Sequence, residues 1–290
     1  MKLEVMLSVM NLKKEDLDKM NITSKCTVIN QCGSNGVEQY KNFDIFSYDE
    51  LGNSNSRNRG LENVTEDIIL LCDDDVVYDK DYEKKVLDEF RQNEKADAIF
   101  FNMYSPNRKK RVIKKRKRLH IYNSLNYASY NIAFKRNSVI SRNISFNTDF
   151  GPNSRYNNGA DTMFIVDMIK NSLKIYSSHA NLGTVYNKSS TWFKGYNEKY
   201  FFNKGALFTA ICKPLRIPLI VQYLIRHRER GRCMKERILA FLEECFVFAV
   251  IYGTRLNEEF KMRDGPFFQI FEIWDSPKMK EGIRKCIKNI

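Results

Sequence analysis

The apolar positions of the first hundred residues fall in short runs of strand length, separated by polar or amphipathic stretches. LEVMLSVM predicts a strand over Leu3–Met10, and Lys13–Met20 a short polar helix. Cys26–Asn30 predicts a second strand, ending in the turn-like QCGSNG at 31–36, and Asp44–Ser47 a third. Ser54–Glu62 reads as a helix with Ser54 or Asn55 as its N-cap, because a side-chain oxygen there satisfies a free backbone N–H. Ile68–Cys72 is apolar throughout, as a strand buried on both faces must be. Asp81–Gln92 is an amphipathic helix and Ala96–Met103 a fifth strand. Strands alternating with helices predict an α/β fold with a mostly parallel central sheet and flanking helices.

Further along, Ala128–Phe134 predicts a strand and Phe146–Asn158 a loop. Asp161–Leu173 predicts a helix with Phe164, Ile165, Met168, Ile169 and Leu173 as its apolar positions. Lys174–Ser177 and Gly183–Tyr186 predict two short strands, and from Tyr200 the pattern turns helical, with Ile238–Tyr252 reading as a buried helix. No internal repeat is visible. The expected organisation is a catalytic domain over residues 1–200, divided at 105, and a helical C-terminal extension over 201–290.

Composition narrows the class. The chain has 290 residues, 43% of them hydrophobic, which is enough for a full core. The start, MKLEVMLSVMNLKKED, lacks the cleavage-site pattern of a signal peptide, and no stretch has the length of a spanning helix. Seven cysteines without a C-x-x-C pair point to a reducing cytosol rather than a disulfide framework or zinc site. Charge is uneven. Residues 1–105 carry 13 Lys and Arg against 21 Asp and Glu, whereas 106–290 carry 35 against 14. The second part therefore favours an anionic partner.

Candidate chemistry gathers at strand tips. In open α/β sheets ligands bind beyond the C-terminal ends of the strands, so the tips after Met10, Asn30 and Cys72 should form one crevice. Three aspartates, Asp73–Asp75, stand there. They are either a solvated turn or a set of hard oxygen ligands whose mutual repulsion a divalent cation relieves. The run RKKRVIKKRKR at 108–118 is either a solvated loop or hairpin or a contact for an anionic surface. Lys213–Arg232, an apolar centre flanked by cations, is either a core helix or one lying in a membrane interface.

In their order and spacing, four stretches resemble a family 2 glycosyltransferase of the GT-A fold, in bacterial surface-polysaccharide style. They are Val5–Val9 with Asn11 and INQCGSNG at 29–36; GNSNSRNRG at 52–60; DDD at 73–75; and FGPNSRYNNGADTMFIVDMIKNSLKIYSS with SSTWFKGYNEKYFFNKGAL after it. The resemblance covers residues 3–207. It implies that Asp75 and Asp73 hold Mn²⁺ or Mg²⁺, and that Ser8, Asn30, Gln31, Arg57, Asp73 and Asp74 line the nucleotide, although Arg57 also fits a salt bridge to Asp73–Asp75 that holds the fold. It implies Asp161 as catalytic base, although a carboxylate there also serves as a helix cap. Trp192 and Phe193 would line the acceptor site, or pack in the core.

The implied reaction is inverting transfer of a sugar from a nucleoside-diphosphate sugar, a UDP-sugar favoured, to a glycan or lipid-linked acceptor. The implied setting is cytoplasmic, peripheral at the inner membrane face, with no nucleic acid as partner. The C-terminal helices are candidates to pair in a homo-oligomer. Two departures stand out: Ala160 and Asn187 occupy positions where the family usually has Glu and His, and His179 is either an ordinary strand-end histidine or a stand-in for the latter. The competing classes are a nucleotidyltransferase, which lacks its glycine-rich segment here; a nucleic-acid-binding protein or two-metal nuclease; and a catalytically dead transferase acting as a binding partner.

Overall fold

The computed structural model describes residues 1–107, 112–124, 127, 129–186, 197–211 and 223. The chain divides into two compact units, Met1–Phe193 and Lys194–Ile290. The first unit is built on one mixed sheet. Its strands are β1 Leu3–Met10, β2 Lys25–Gln31, β3 Gly36–Tyr40, β4 Phe43–Tyr48, β5 Ile68–Asp73, β6 Val76–Tyr78, β7 Ala98–Tyr104, β8 Lys117–Arg118, β9 Ile132–Lys135 and β10 Ile175–Val185. The order across the sheet is β3-β4-β2-β1-β5-β9-β7-β10-β6, with β8 paired to β10. The helices are α1 Lys14–Lys19, α2 Asn53–Asn63, α3 Tyr82–Gln92, α4 Ile121–Ser124, α5 Arg136–Ile140 and α6 Ala160–Lys170, with α7 Glu198–Ile211 in the second unit.

The parallel block β4-β2-β1-β5 is what the apolar runs of the first seventy residues require. Antiparallel strands extend it: β3 on one edge, and β9 inserted between β5 and β7. Alternation along each strand feeds two separate cores. Leu3, Val5, Leu7, Leu70, Ile99 and Phe101 pack against α1 and α3 through Leu17, Val86 and Phe90. Met6, Ile69, Leu71, Ala98 and Phe100 face the other way, toward Leu61 of α2, Val139 of α5 and Phe164 and Met168 of α6. α2 and α6 therefore lie on the same face of the sheet.

Several expectations are corrected. The turn expected at 31–36 ends in β3, an exposed edge strand with no buried side chain and so no apolar signal. β6 and α5 are too short to read from pattern. The two strands expected around 174–186 are one bulged strand, β10, because its register against β7 shifts twice and blurs the period-2 pattern. The strand expected from Ala128 starts at Ile132, and α6 starts at Ala160 and ends at Lys170. The N-cap of α2 is Gly52, at φ 115°, rather than Ser54 or Asn55. Ser54 Oγ is used elsewhere, donating to the Phe150 carbonyl at 2.8 Å.

Two glycines sit at close approaches. A Cβ on Gly60 would lie 2.4 Å from Met6 Sδ, so any side chain there would force the Met6 side chain to move. A Cβ on Gly183 would lie 2.2 Å from the Val77 carbonyl oxygen, so β6 can pair with β10 only at a glycine. Among the described residues no helix is long and apolar enough to cross a membrane. Trp192, Phe193, Asn187, residues 108–111 of the basic run, the expected Ile238–Tyr252 helix and, apart from Tyr223, Lys213–Arg232 lie outside the described residues.

Candidate active site

Parallel register puts the strand tips side by side. Ser8 stands opposite Ile29 on one flank and Asp73 on the other, and Met10 opposite Gln31. Asp73 is the last residue of β5. It continues the Ile69, Leu71 series, so its side chain projects toward the α2 and α6 face.

Arg57 meets it there from α2. The Arg57 side chain is buried, and its Nη2 donates to Asp73 Oδ1 at 3.0 Å. Its Nη1 donates to Asp161 Oδ1 in the first turn of α6. The guanidinium also lies over the Phe146 ring, 5.3 Å from its centroid. One buried cation therefore bridges a strand-tip carboxylate and a helix-start carboxylate, the latter 104 residues beyond the arginine in sequence. Both carboxylates keep about a third of their side-chain surface open, 35% for Asp73 and 33% for Asp161.

α2 is the organiser of this arrangement. Besides Ser54 and Arg57, Asn58 Nδ2 donates to the Phe146 carbonyl at 2.9 Å and Asn58 Oδ1 accepts from the Phe146 N–H at 2.7 Å. The segment 146–151 is thereby held along the helix. The Phe146 ring stacks on Phe164 of α6 at 4.0 Å. Ala160 is buried, and a Cβ on Gly151 would reach 3.1 Å from its methyl. Close packing of that loop thus occupies the space around the alanine that replaces the glutamate of the resemblance. Ser54, Asn58 and Phe146 were missed as site-positioning residues from sequence. The one signal that could have found them was polar residues on the inward side of a helix that carries few apolar ones.

Electrostatics follow from burial and crowding. Burial opposes the charge on Arg57, but the facing Asp161 and Asp73 carboxylates outweigh it and hold the guanidinium above its ordinary value. For Asp73 the balance runs the other way. Burial pushes its carboxyl up, Arg57 pulls it down only in part because Asp161 shares that cation, and Asp161 and Asp75 repel it.

The other candidate residues surround this chain of three. Asp74 is exposed in the turn after β5, and the Asp75 carbonyl accepts the Tyr186 N–H at 2.9 Å. Asn30 and Gln31 sit at the tip of β2, but their amides hold backbone. Asn30 Oδ1 accepts from the Leu12 N–H at 3.0 Å, and Gln31 Nε2 donates to the Glu50 and Gly52 carbonyls at 3.0 and 3.2 Å. His179 is exposed on β10, with its carbonyl accepting from Asn102. Ser8, Arg57, Asp73 and Asp161 are thus brought together, and Asn30 and Gln31 buttress the loops beside them.

A sequence profile described as Glycosyl transferase family 2 matches residues 34–151, which spans Arg57 and the three aspartates. No curated protein matches the chain. Among solved structures, TarS 1-349 of S. aureus in complex with UDP-GlcNAc is similar with a TM-score of 0.55 at 13% identity, covering 93% of this chain and 78% of that one. The same S. aureus protein in complex with UDP is similar with a TM-score of 0.52 at 15% identity, covering 93% and 77%. At such identities the likeness carries the fold, and that fold is GT-A. Profile match and GT-A architecture together support a glycosyltransferase, with residues 34–151 similar to family 2.

Proposed function

We propose that the protein is an inverting, metal-dependent transferase that moves a sugar from a nucleoside-diphosphate sugar to a hydroxyl of a glycan or lipid-linked acceptor in surface-polysaccharide synthesis. The observation that carries this reading is the Asp73–Arg57–Asp161 chain, which sets an acidic strand tip and a partly exposed carboxylate on one crevice. Asp161 is the general base. As the acceptor oxygen attacks the anomeric carbon, the new C–O bond forms, the bond to the diphosphate breaks, and the hydroxyl proton passes to Asp161. The diphosphate leaves from the opposite side, which inverts the anomeric centre. A UDP-sugar is favoured as donor, in keeping with the UDP-GlcNAc and UDP bound by the S. aureus neighbour.

The donor set suits a metal that arrives with its substrate. Aspartate oxygens are the ligands that Mg²⁺ and Mn²⁺ prefer, and a cation would relieve the crowding that raises Asp73. Among the described residues no group of three His, Cys, Asp or Glu is arranged to enclose an ion, so diphosphate oxygens and water would complete the shell. Asp75 and Asp73 would hold the metal, which when bound supplies Lewis-acid stabilisation of the departing diphosphate. Ser8, Asn30, Gln31, Arg57 and Asp74 line the nucleotide side of the same crevice. The test is calorimetric titration with UDP, GDP, CDP and dTDP, with Mn²⁺ or with EDTA, on wild type and Asp75→Ala. Metal-dependent binding of one diphosphate, lost in Asp75→Ala, is expected. Absence of any diphosphate binding overturns the assignment.

The basic strip supplies the setting. Ile113 is clasped by Asn102 at 2.8 and 3.0 Å, Arg116 donates to Glu89 at 2.7 Å, and the Leu119 N–H donates to the Ile175 carbonyl at 2.8 Å. Lys114, Lys115, Lys117 and Arg118 stand exposed on this fastened strip. Each is worth about 1 kcal/mol beside an anionic bilayer. Such a surface fits peripheral contact at the inner membrane face. Co-sedimentation with phosphatidylserine vesicles that vanishes at high salt is expected, and equal sedimentation with neutral phosphatidylcholine vesicles overturns it.

A further inference from the structure

The far end of the sheet presents a second surface, beyond Asp75 from the nucleotide tips. β6 pairs with β10, and the pairing runs one step past the ladder, since the Tyr186 N–H donates to the Asp75 carbonyl. Val76, Tyr78 and Val185 point into the core shared with α1 and α3. Val77, Thr184 and, by the same alternation, Asp75 and Tyr186 point to the opposite face. On β7, Ile99, Phe101 and Met103 belong to that same α1 and α3 core, so Tyr104 joins the opposite face as well. Thr184 stands directly across from Tyr104 in the β7–β10 register. The face they share is that of α2 and α6, where Arg57 and Asp161 lie.

Tyr104 is 62% exposed and Tyr186 49%. Tyr78, Tyr82, Phe100 and Phe101, on nearby elements, are buried. A single exposed tyrosine needs no explanation. Two on neighbouring strand ends and on one face, one of them bonded through its backbone to Asp75, form a surface. Its backbone is fixed while its rings stay open: the Tyr186 N–H is bonded to Asp75, and its carbonyl accepts from Asn107 Nδ2 at 2.7 Å. Thr184 brings a hydroxyl between the rings, and Asn107 an amide at the rim.

We propose that Tyr104 and Tyr186 form an aromatic wall that receives the sugar ring of the acceptor, with Thr184 and Asn107 as hydrogen-bonding partners for its hydroxyls. The chemistry fits a pyranose. Its C–H face packs on an aromatic ring, and its edge hydroxyls need polar groups at the margin. The position fits the acceptor rather than the nucleotide. Asp73–Asp75 cross from the β1–β2–β5 tips to this wall, so a donor held at the aspartates has its nucleotide on one side and the wall on the other. This proposal rests on the transferase reading for its choice of acceptor over donor.

The test uses full-length protein with ¹³C-labelled tyrosine rings, assigned with Tyr104→Phe and Tyr186→Phe. It is titrated with methyl glycosides of glucose, galactose and N-acetylglucosamine, in the presence of Mn²⁺ and saturating UDP. Saturable shifts of both rings are expected with at least one glycoside. Affinity should fall about tenfold in Tyr104→Ala or Tyr186→Ala and be kept in the Phe variants. UDP binding, read separately by calorimetry, should be unchanged in all of them. Bound UDP with ring signals that no glycoside moves overturns the wall and leaves the transferase reading standing. Ring shifts without UDP binding uphold a sugar-binding wall and sink the donor site.

Discussion

The two ends of the central strands treat carboxylates in opposite ways. At the lower end, Glu4 on β1 is wholly buried. It accepts from the Thr27 hydroxyl at 2.7 Å and from the Thr65 and Glu66 N–H groups at 2.7 and 2.9 Å. Both of its oxygens are met by fixed donors, so this charge ties β1, β2 and the approach to β5 into one block. At the upper end, Asp73 and Asp161 share a single guanidinium and leave part of each carboxylate open to solvent. The lower carboxylate is spent on folding, and the proposed function gives the upper pair to ligands.

The largest effect should come from swapping the roles. Asp161→Asn should lower kcat by about 10²–10⁴-fold, the usual contribution of a general base, with thermal stability near wild type. Glu4→Ala should do the reverse. It strips the part-buried Thr65 and Glu66 N–H groups of their acceptor and should cost about 1–3 kcal/mol of folding stability, with the turnover of folded molecules unchanged. Urea unfolding and steady-state rates on both variants check the pair. A stable, fully active Glu4→Ala protein would erase the contrast.

A smaller effect sharpens it. The folded-state carboxyl of Asp73 is raised, so Asp73 favours folding at pH below its ordinary value of 3.8, and that contribution is lost as pH rises through the raised value. At neutral pH the ionised group is a net burden on the fold. Asp73→Asn should therefore keep or slightly raise Tm at pH 7, with the difference shrinking toward pH 4, while abolishing metal-dependent diphosphate binding. Scanning calorimetry across that range reads the sign. A drop in Tm at pH 7 would make Asp73 a structural partner of Arg57, as Glu4 is of Thr65.

Much of the strand-tip end of the sheet is local and was legible. The apolar runs of β1, β2 and β5 are buried on both faces, so composition alone marks them, and parallel pairing then forces their tips together. The aspartate cluster and Arg57 sit within one strand-helix-strand stretch, where spacing carries information. Sequence by itself determined those strands, the α2 and α6 helices and the acidic tip.

Tertiary structure decided what the pattern could not encode. Whether Ser54 caps its helix or holds Phe150 depends on a loop nearly a hundred residues away. Thr184 comes to stand across from Tyr104 only because the register of β10 against β7 shifts twice along the way. Gly183 has meaning only where β6 presses on it. The physical reason is common to all three. Local periodicity reports which side of an element is buried, but not which distant element buries it.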